Sequence, residues 1–380
     1  MKRKNICFVT INCNPEYLGG YALYHKNLIR YIKKNNKDIR VSWAYFGDKN
    51  RRYLKEGVEY FEIKTDKLRS FLLLGKNFSL ARFFKKNKFE IINSIGGPWT
   101  FFYKKKKGQR IIQTFHGTVY YFYKNHLQRL NPLMRALFSP FLLVNWLQER
   151  PHKKTDKFIC VSEKVKEQVK KLYSPKEDKL KVIRTGVDIS EFKKNKRERV
   201  ISELKLDGKK IYGLYVGGGG FWTKGLDRTI NLSREIYKKE KNFRLIVIGP
   251  DFLKVKKLIG EDFVIFLKNV PREKMSSYYS VSDMFFCMSR YEGGAPTLVV
   301  SEAMASECLL ICSKDSRQEI IKDAENGIII SSFGEQSARK IISLLENKKR
   351  LNKIKKEALK TVNKLSLENW GKETVKELIS

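Results

Sequence analysis

The sequence lacks paired cysteines, which excludes a disulfide framework of the kind found in small secreted domains. No Cys-x-x-Cys spacing occurs, and the six cysteines lie mostly in apolar, strand-like stretches: Cys7, Cys13, Cys160, Cys287, Cys308 and Cys312. We expect buried, reduced thiols, as in a cytoplasmic protein. Cys308 and Cys312 share one face of a predicted strand with no histidine nearby, so core packing explains them better than a metal site.

Long apolar runs are also missing. The longest apolar stretch, residues 136–147, is too short to span a bilayer and contains a proline. The first residues, MKRKNICFVTI, begin like a signal peptide, but their apolar part is short and no small-residue cleavage site follows. We therefore predict no transmembrane helix, and we interpret the N-terminal stretch as the first buried strand.

Negative charge is scarce, with 40 Asp and Glu against 78 Lys and Arg and a formal net charge of +38. This excess predicts an anionic partner, namely nucleic acid, an anionic membrane surface or phosphorylated substrates, with a lysine-rich background composition as the alternative explanation for part of it. Motifs typical of nucleic-acid-binding folds are absent, so nucleic acid is not the expected partner. The 380 residues, 42% of them hydrophobic, predict a folded protein of two domains.

Short apolar strands alternate with helical stretches along the chain. Such alternation predicts parallel sheets covered on both faces, which is an α/β fold. The predicted strands are residues 5–11, 39–46, 89–95, 110–115 and 157–162 in the first half, and 211–217, 243–249, 263–268, 283–288, 308–312 and 327–331 in the second. We expect two Rossmann-like, doubly wound domains, joined near residues 191–200, that face each other across a ligand-binding cleft.

A glycine-rich stretch, YVGGGGFWTKGLD, follows the first strand of the second half and opens a helix. Glycines such as Gly218 and Gly219 let backbone amides approach a phosphate closely, and the N-terminus of a helix favours anions. Lys224 adds a full positive charge at the start of that helix. The stretch contains neither the Walker Gly-Lys-Ser/Thr sequence nor a clean GxGxxG pattern, which argues against an ATPase and against a dehydrogenase.

A second motif, EGGAPTLVVSEAMA, places two carboxylates around the start of another helix. Its turn is expected to present free amides near Thr297 and Leu298 as a second site for an anion. The carboxylates of Glu292 and Glu302 can accept hydrogen bonds from vicinal hydroxyls, as acidic residues do for a ribose. Together the two motifs predict a site for a diphosphate that is flanked by sugars.

These motifs, together with CVSEKVKEQVKKLY, VIRTGVDISEF, the glycine loop near the N-terminus and TFHGT, resemble glycosyltransferase family 4 of the GT-B fold over nearly the whole chain. The resemblance implies an acceptor-side domain at residues 1–190 and a nucleotide-sugar-binding domain at residues 191–360. A C-terminal helix at residues 361–380, containing Trp370, would return toward the first domain. The implied reaction moves a hexose from a nucleotide-sugar such as a UDP-sugar, with retention of configuration and without a cofactor or metal.

The resemblance also implies roles for residues of the second domain. Lys224 would neutralise the donor diphosphate beside the glycine loop, Glu302 would hold the ribose, and Glu292 would bind the transferred hexose. The sequence departs from the family pattern at four points, two of them being Thr185 in place of the usual asparagine and Glu307 in place of a glycine. Nine residues separate the two glutamates where the family usually has seven, and the arginine that often accompanies the lysine is absent.

In the first domain the resemblance points to three residues. His116 would lie near the anomeric centre of the donor, whereas Gly19 and Gly20 would close over the phosphates. Taken alone, a histidine at the end of a strand is an ordinary turn residue. The Gly117 that follows it and the family resemblance favour a place in the site.

Basic and aromatic stretches concentrate in the first domain, at residues 68–89, 101–107 and 120–154. Such stretches suit segments that lie on an anionic membrane surface, although core packing beneath a solvated face explains any one of them equally well. We expect a cytoplasmic, peripherally membrane-associated glycosyltransferase with a lipid-linked or oligosaccharide acceptor in surface-glycan biosynthesis. The alternative is a non-catalytic basic protein on the same scaffold that binds membrane or nucleic acid.

Overall fold

The computed structural model describes residues 4–10, 14–16, 19–65, 75–95, 102–217, 220–249, 261–268 and 270–380. Cys13 and two of the predicted site residues, Gly218 and Gly219, lie outside the described residues. The chain divides into two compact units, one formed by Met1–Thr185 with Trp370–Ser380 and the other by Gly186–Asn369. Within the described ranges, no helix has the length and apolar character needed to cross a bilayer.

The first unit contains an eight-stranded sheet. Its strands are β1 (Lys4–Thr10), β2 (Ile39–Gly47), β3 (Arg51–Lys55), β4 (Val58–Lys64), β5 (Ile91–Ile95), β6 (Arg110–Phe115), β7 (Lys157–Cys160) and β8 (Leu180–Val182). They lie in the order β3-β4-β2-β1-β5-β6-β7-β8, and β3–β4 is the antiparallel pair of an otherwise parallel sheet. The helices are α1 (Gly20–Asn35), α2 (Gly75–Lys86), α3 (Val119–Leu127), α4 (Pro132–Phe138), α5 (Pro140–Glu149) and α6 (Glu163–Tyr173).

The second unit contains a six-stranded parallel sheet. Its strands are β9 (Ile211–Val216), β10 (Phe243–Gly249), β11 (Val264–Lys268), β12 (Met284–Cys287), β13 (Leu309–Ser313) and β14 (Ile328–Ile330), in the order β11-β10-β9-β12-β13-β14. The helices are α7 (Arg197–Leu204), α8 (Leu226–Lys239), α9 (Arg272–Val281), α10 (Leu298–Ala305), α11 (Glu335–Glu346) and α12 (Lys348–Asn363). Helix α13 (Leu367–Ile379) begins in this unit, and its residues from Trp370 onward belong to the first.

Both faces of the second sheet are covered, which explains why its strands are apolar at consecutive positions. In β10, the side chains of Phe243, Leu245 and Val247 enter one core, whereas those of Ile246 and Ile248 enter the other. Successive side chains of a strand point to opposite faces, so a strand buried on both faces has no polar side. The predicted α/β class, with two doubly wound sheets, is confirmed.

The antiparallel pair β3–β4 at the edge of the first sheet was missed by the sequence pattern. Four of the five residues of β3, RRYLK, are exposed, so the strand has no apolar face that alternation could reveal. Its arginines instead form ion pairs with β4, as between Nε of Arg52 and Oε1 of Glu59 at 2.7 Å. Charged side chains are a common way to protect an edge strand from pairing with another chain.

The strand order creates a reversal point in each sheet. In the second unit, β9 lies between β10 and β12, so the chain builds outward to one side of β9 and then to the other. In the first unit, β1 lies in the same way between β2 and β5. At such a point the connections leaving the carboxyl ends of two adjacent strands diverge, which opens a crevice for a ligand.

The three basic and aromatic segments of the first unit differ in their burial. The described part of residues 68–89 begins at Gly75, and α2 packs Leu80, Ala81 and Phe84 into the core. The interpretation as a membrane surface is therefore wrong for this helix, because its apolar residues are packing residues. Residues 120–154, in contrast, keep many large apolar side chains exposed.

Candidate active site

Lys224 and Glu292 meet at the reversal point of the second sheet. Lys224 follows β9 in the turn that leads into α8, and Glu292 follows β12 in the neighbouring connection. The Nζ atom of Lys224 lies 2.9 Å from Oε1 of Glu292. The lysine side chain is 42% exposed and that of the glutamate 11%. The carboxylate therefore holds an ammonium group that an anion from solvent can still reach.

The turn that carries Lys224 packs closely against the end of β12. Gly225 has a φ of +71°, and a Cβ atom there would collide with the backbone carbonyl oxygen of Met288. Only glycine adopts this conformation and this close approach without strain. The backbone thus fixes where the lysine side chain starts.

Arg290 ties the two connections together and was not singled out from the sequence. Its guanidinium group forms two hydrogen bonds with the carboxylate of Asp227, at 2.9 and 2.6 Å, and lies 4.1 Å over the ring of Trp222. Its backbone amide donates to the carbonyl oxygen of Thr223 at 3.0 Å. The arginine is 92% buried in this arrangement, with 8% of its surface exposed. It therefore positions the turn that bears Lys224.

Glu302 lies on α10 in an environment very different from that of Glu292. Only 1% of its surface is exposed, and its carboxylate lies 2.6 Å from Nη1 of Arg272 and accepts a hydrogen bond from the hydroxyl of Tyr279 at 2.9 Å. Burial raises the pKa of Glu302, even though the nearby Arg272 favours its charged form. Of these three side chains, only Arg272 is appreciably exposed, at 25%. The Arg272 guanidinium thus lies beside the carboxylate for which a ribose contact was predicted, and the sequence did not indicate this arginine.

The predicted anion site at the start of α10 is only half present. The amide of Thr297 is not free, because it donates to Oε1 of Gln318 at 3.0 Å, while Nε2 of Gln318 donates to the threonine hydroxyl at 2.9 Å. The prediction of a free amide at Thr297 is therefore wrong. The amide of Leu298 has no partner among the residues that the structure describes. A side chain 21 positions away along the chain satisfies the first amide, and no local pattern predicts that contact.

His116 lies in the first unit at the carboxyl end of β6, within an aromatic cluster. Its ring meets the edge of Tyr24 at a centroid distance of 4.5 Å and that of Tyr21 at 5.1 Å. Burial lowers the pKa of His116 to about 3, so the imidazole is neutral at physiological pH. Its Nε2 atom is enclosed and has no hydrogen-bond partner within the described part of the chain. Trp370 stacks edge-on against the same Tyr24 at 4.8 Å.

The loop after His116 is fixed by two buried side chains. Thr118 caps α3 by accepting from the amide of Tyr121, and its hydroxyl donates to Gln168 at 2.9 Å. The carboxyl group of Glu149 accepts from the amide of Val119 at 2.7 Å. Burial raises the pKa of Glu149 to about 8. Two helices therefore anchor the connection that carries His116.

Gly19 and Gly20 begin α1 at the carboxyl end of β1. Gly19 is the N-cap residue, with φ −77° and ψ 163°, and Gly20 is the first helical residue. A Cβ atom at Gly20 would meet nothing within 4 Å. Packing within the described residues therefore does not require glycine at this position, and a role in the approach of a ligand to the backbone stays a prediction.

The structure brings some of the predicted site residues together within the second unit, and the others belong to the first unit. In the second unit it pairs Lys224 with Glu292 and encloses Glu302 with Arg272. His116, Gly19 and Gly20 belong to the first unit. The roles predicted for these side chains are interpretations of their chemistry, and they stay predictions.

Two protein families match consecutive parts of the chain. The family described as Glycosyltransferase Family 4 matches residues 18–191, and the family described as Glycosyl transferases group 1 matches residues 196–361. Together the two matches span most of the sequence. The boundary between them lies close to the division between the two compact units.

Similarity to individual proteins is low in sequence and high in fold. An uncharacterized glycosyltransferase of Methanocaldococcus jannaschii, MJ1069, is 29% identical over 233 residues, which cover 59% of this chain and 57% of that protein. The chain spans a little more than half the length of the curated relatives that it matches. The crystal structure of WaaG, a glycosyltransferase involved in lipopolysaccharide biosynthesis, matches with a TM-score of 0.74 at 14% identity over 99% of this chain and all of the other. HepE of Anabaena in complex with UDP-glucose matches with a TM-score of 0.67 at 14% identity, over 98% and 99% of the two chains.

Proposed function

The chain belongs to the glycosyl transferases group 1 and has the GT-B fold, and we propose that it transfers a hexose from a nucleotide-sugar to a lipid-linked or surface-glycan acceptor. The transfer retains the anomeric configuration and uses no divalent metal. The enzyme works in the cytoplasm, peripherally at the inner face of a membrane.

The observation that carries the proposal is the pair formed by Lys224 and Glu292 at the reversal point of the second sheet. An accessible ammonium at the start of one helix lies 2.9 Å from a carboxylate that precedes another. A cation at a helix N-terminus suits the phosphates of a donor, and a carboxylate suits the hydroxyls of the attached sugar. A nucleotide-sugar presents both groups close together, as other phosphorylated sugars and nucleotides do, so the pair supports this class of ligand.

In the proposed reaction, the protein must stabilise the diphosphate leaving group. Lys224 supplies a full charge, and the N-termini of α8 and α10 supply partial charges through their amides, of which that of Leu298 is available. A helix terminus contributes roughly 0.3–1 kcal/mol when exposed and up to about 2 when partly buried, so several donors act together. Arg290 holds the lysine turn in place through Asp227 and Thr223.

His116 contributes as a neutral imidazole. With a pKa of about 3 it carries no charge at physiological pH, so it contacts the sugar through hydrogen bonding and shape rather than as a cation. Its Nε2 atom has no hydrogen-bond partner in the described residues but is enclosed, so a hydrogen bond to the sugar requires the side chains around it to move. We assign it to the region of the anomeric carbon.

Two similar structures support the choice of ligands. HepE, which shares the fold, was solved with UDP-glucose, and this supports a nucleotide-sugar as the donor. WaaG is involved in lipopolysaccharide biosynthesis, and this supports an acceptor that ends on a membrane lipid. Both proteins are 14% identical to this chain, so they support the class of ligand and not the individual sugar.

The first test is thermal unfolding in the presence of a panel of nucleotide-sugars. A donor at about 100 times its dissociation constant stabilises the protein by about 2.7 kcal/mol, which is readily detected. We expect stabilisation of the wild type by one class of donor and loss of that effect in Lys224→Ala. The matched control is Lys238→Ala in the last turn of α8, the helix that follows Lys224. This variant should respond as the wild type does.

The stabilising donor then enters a transfer assay with lipid-linked acceptors, and NMR of the product reports the anomeric configuration. An inverted anomer would contradict the retaining mechanism. A protein that responds to no donor, but binds vesicles or nucleic acid whether or not Lys224 is changed, would instead be the non-catalytic basic protein. That second function is favoured only by the net charge of +38.

A further inference from the structure

Helix α4 of the first unit is apolar, yet it contributes nothing to the core. Its sequence is PLMRALF, and none of its residues is buried. A surface helix of a folded protein normally turns its apolar side chains inward. In α4, the side chains of Leu133 and Leu137, one turn apart, are 78% and 64% exposed. The apolar side chains of α4 therefore face solvent, whereas other helices of the protein bury theirs.

The exposure continues through α5, so that residues 130–149 form one exposed apolar segment. Eight of the fourteen large hydrophobic side chains that are exposed in the described residues lie in it: Leu130, Leu133, Met134, Leu137, Phe138, Phe141, Leu143 and Leu147. Monomeric proteins rarely expose contiguous apolar patches of this kind unless the patch binds something.

One side of α5 is firmly attached to the unit, which fixes the direction of the other side. Asn145 and Glu149 are buried, and Nε1 of Trp146 donates to the carbonyl oxygen of Leu172 at 3.1 Å. Glu149 is also the residue that accepts from the amide of Val119. The exposed apolar segment is therefore held in place by packing from α5, and its apolar side chains are not exposed through fraying.

The exposed charges within residues 116–155 are of one sign. Residues 116–155 contain six lysines and arginines, all exposed, namely Lys124, Arg129, Arg135, Arg150, Lys153 and Lys154. Residues 116–155 contain one acidic residue, Glu149, and its side chain is buried. An anionic surface that approaches the segment therefore meets apolar side chains bordered by cations, with no exposed carboxylate from the same stretch.

We propose that the exposed apolar segment docks on an anionic lipid bilayer, with Leu133, Leu137 and Phe141 entering the boundary between headgroups and acyl chains. Helices with an apolar side and bordering lysines and arginines lie in this region of a bilayer, and the attraction of the cations to anionic lipids adds to the apolar burial. This deepens the proposed function, because it names the surface that would hold the enzyme beside a lipid-linked acceptor.

A second copy of the chain fits the same surface less well. Two identical segments packed across a two-fold axis would bring the same six cations toward each other without carboxylates to balance them. Nucleic acid would match the charge, and Phe138 and Phe141 offer rings for stacking, but the most exposed side chains of the segment are leucines, which bases would leave uncovered. The bilayer satisfies the apolar and the charged groups at once.

The test is co-sedimentation of the 380-residue chain with phosphatidylcholine vesicles that contain or lack phosphatidylglycerol. We expect binding to the anionic vesicles and little binding to the neutral ones. In the double variant Leu133→Gln with Leu137→Gln, binding should fall by about a hundredfold, since each inserted leucine is worth about tenfold. The matched control is Leu54→Gln on β3, which is 74% exposed and lies outside the segment; it should bind as the wild type does.

The charges are tested separately by Lys153→Gln with Lys154→Gln, which should weaken binding by about twenty-five-fold, because each cation contributes about fivefold. Lys348→Gln with Lys349→Gln on α12 is the control and should not change vesicle binding.

No binding by the wild type, or equal binding by the leucine variant, would overturn the proposal. A wild-type dimer that the leucine variant dissociates, or RNA binding that the same variant abolishes, would identify a different occupant and also overturn it. Because the assay needs neither donor nor acceptor, its failure is distinct from a failure of sugar transfer.

Discussion

The two glutamates that flank the start of α10 are both paired with a cation, but in opposite surroundings. Glu292 is paired with Lys224, whose side chain is 42% exposed. Glu302 is enclosed with Arg272 and Tyr279 and is 1% exposed. A fully exposed ion pair contributes about 0–1 kcal/mol to stability, and the Lys224–Glu292 pair lies between this case and a buried pair because Glu292 is 11% exposed. Breaking a buried pair is strongly destabilising, because it leaves an uncompensated charge.

We propose that this difference reflects two roles, with the Lys224–Glu292 pair more open to exchange with a ligand and the Arg272–Glu302 pair more important for stability. We expect the Lys224 ammonium, which is 42% exposed, to exchange Glu292 for a phosphate more readily than Arg272 exchanges Glu302, although the 11% exposure of Glu292 adds a cost to that exchange. Arg272 cannot leave Glu302 in the same way, although its exposed fraction remains available to a ligand. We therefore expect changes at Glu292 and Lys224 to alter ligand binding, and changes at Arg272 to alter stability first.

The largest effect is expected for Arg272→Ala. Loss of the guanidinium leaves the Glu302 carboxylate buried without a cation, and the free energy of unfolding should fall by about 3–5 kcal/mol at neutral pH. Denaturant unfolding measures the change. Adding Glu302→Gln to the variant should restore most of the lost stability, since no charge then remains to be compensated.

The control for this variant is Arg199→Ala, which removes an exposed pair with Glu203 at 2.8 Å and should cost less than about 0.5 kcal/mol. If Arg272→Ala proves equally mild, Glu302 is not held as a buried charge, and the contrast between the two glutamates disappears.

A third carboxyl group, Glu149, extends the contrast to pH. Its pKa is about 8 in the folded chain, above the ordinary value of 4.5, so the folded state binds the proton more tightly. The stability that this provides is complete below pH 4.5 and is lost as the pH rises from 4.5 toward 8. Glu149→Gln imitates the protonated form, and at pH 7 it should be more stable than the wild type by about 3 kcal/mol.

Denaturant unfolding at a series of pH values measures this difference, which should vanish at pH values below 4.5. The control is Glu177→Gln in the same unit. A hydrogen bond from Lys166 lowers the pKa of Glu177, so its contribution has the opposite sign and is lost as the pH falls. A Glu149→Gln variant that is less stable than the wild type at pH 7 would show that the carboxylate is needed in its charged form.

A smaller effect is expected for Gly225→Ala. The added Cβ atom meets the carbonyl oxygen of Met288 and a φ of +71° disfavours alanine, so unfolding should become easier by about 2 kcal/mol. Gly208→Ala is the control, since the nearest atom there is a side-chain methyl of Ile201 at 3.7 Å. Because the strain lies beside Lys224, donor binding should weaken in the first variant and not in the second. Equal stability of the two variants would contradict a tightly packed turn.

The sequence predicted the features that depend on local residue patterns and missed those that depend on contacts between distant parts of the chain. The limits of β6 and β10 follow from apolar runs and agree with the structure to the residue. Lys224 and Glu292 could be singled out because each stands in a recognisable loop. Arg272 could not, since it precedes Glu302 by 30 residues on another helix and nothing in its own neighbourhood indicates the pairing. The bond between Thr297 and Gln318 was missed for the same reason.

The pattern of residues also did not predict which apolar side chains are exposed to solvent. Residues 75–86 and 120–154 both mix aromatic or leucine side chains with lysine and arginine. The first range packs against the sheet through Leu80 and Phe84, and the second leaves Leu133 and Leu137 in solvent. Which apolar side is covered depends on neighbouring elements, so composition alone predicts the two segments to behave alike.

The most direct test of the exchangeable pair is calorimetric titration of UDP into the wild type, Lys224→Ala and Glu292→Gln. If Glu292 competes with the diphosphate for Lys224, its neutralisation should tighten UDP binding by up to about fivefold, whereas loss of the lysine should weaken binding by tenfold or more. UDP carries no hexose, so a sugar contact of Glu292 does not enter the comparison. Opposite shifts in the two variants are the predicted result. Weaker binding in both, or no change in either, would contradict the account.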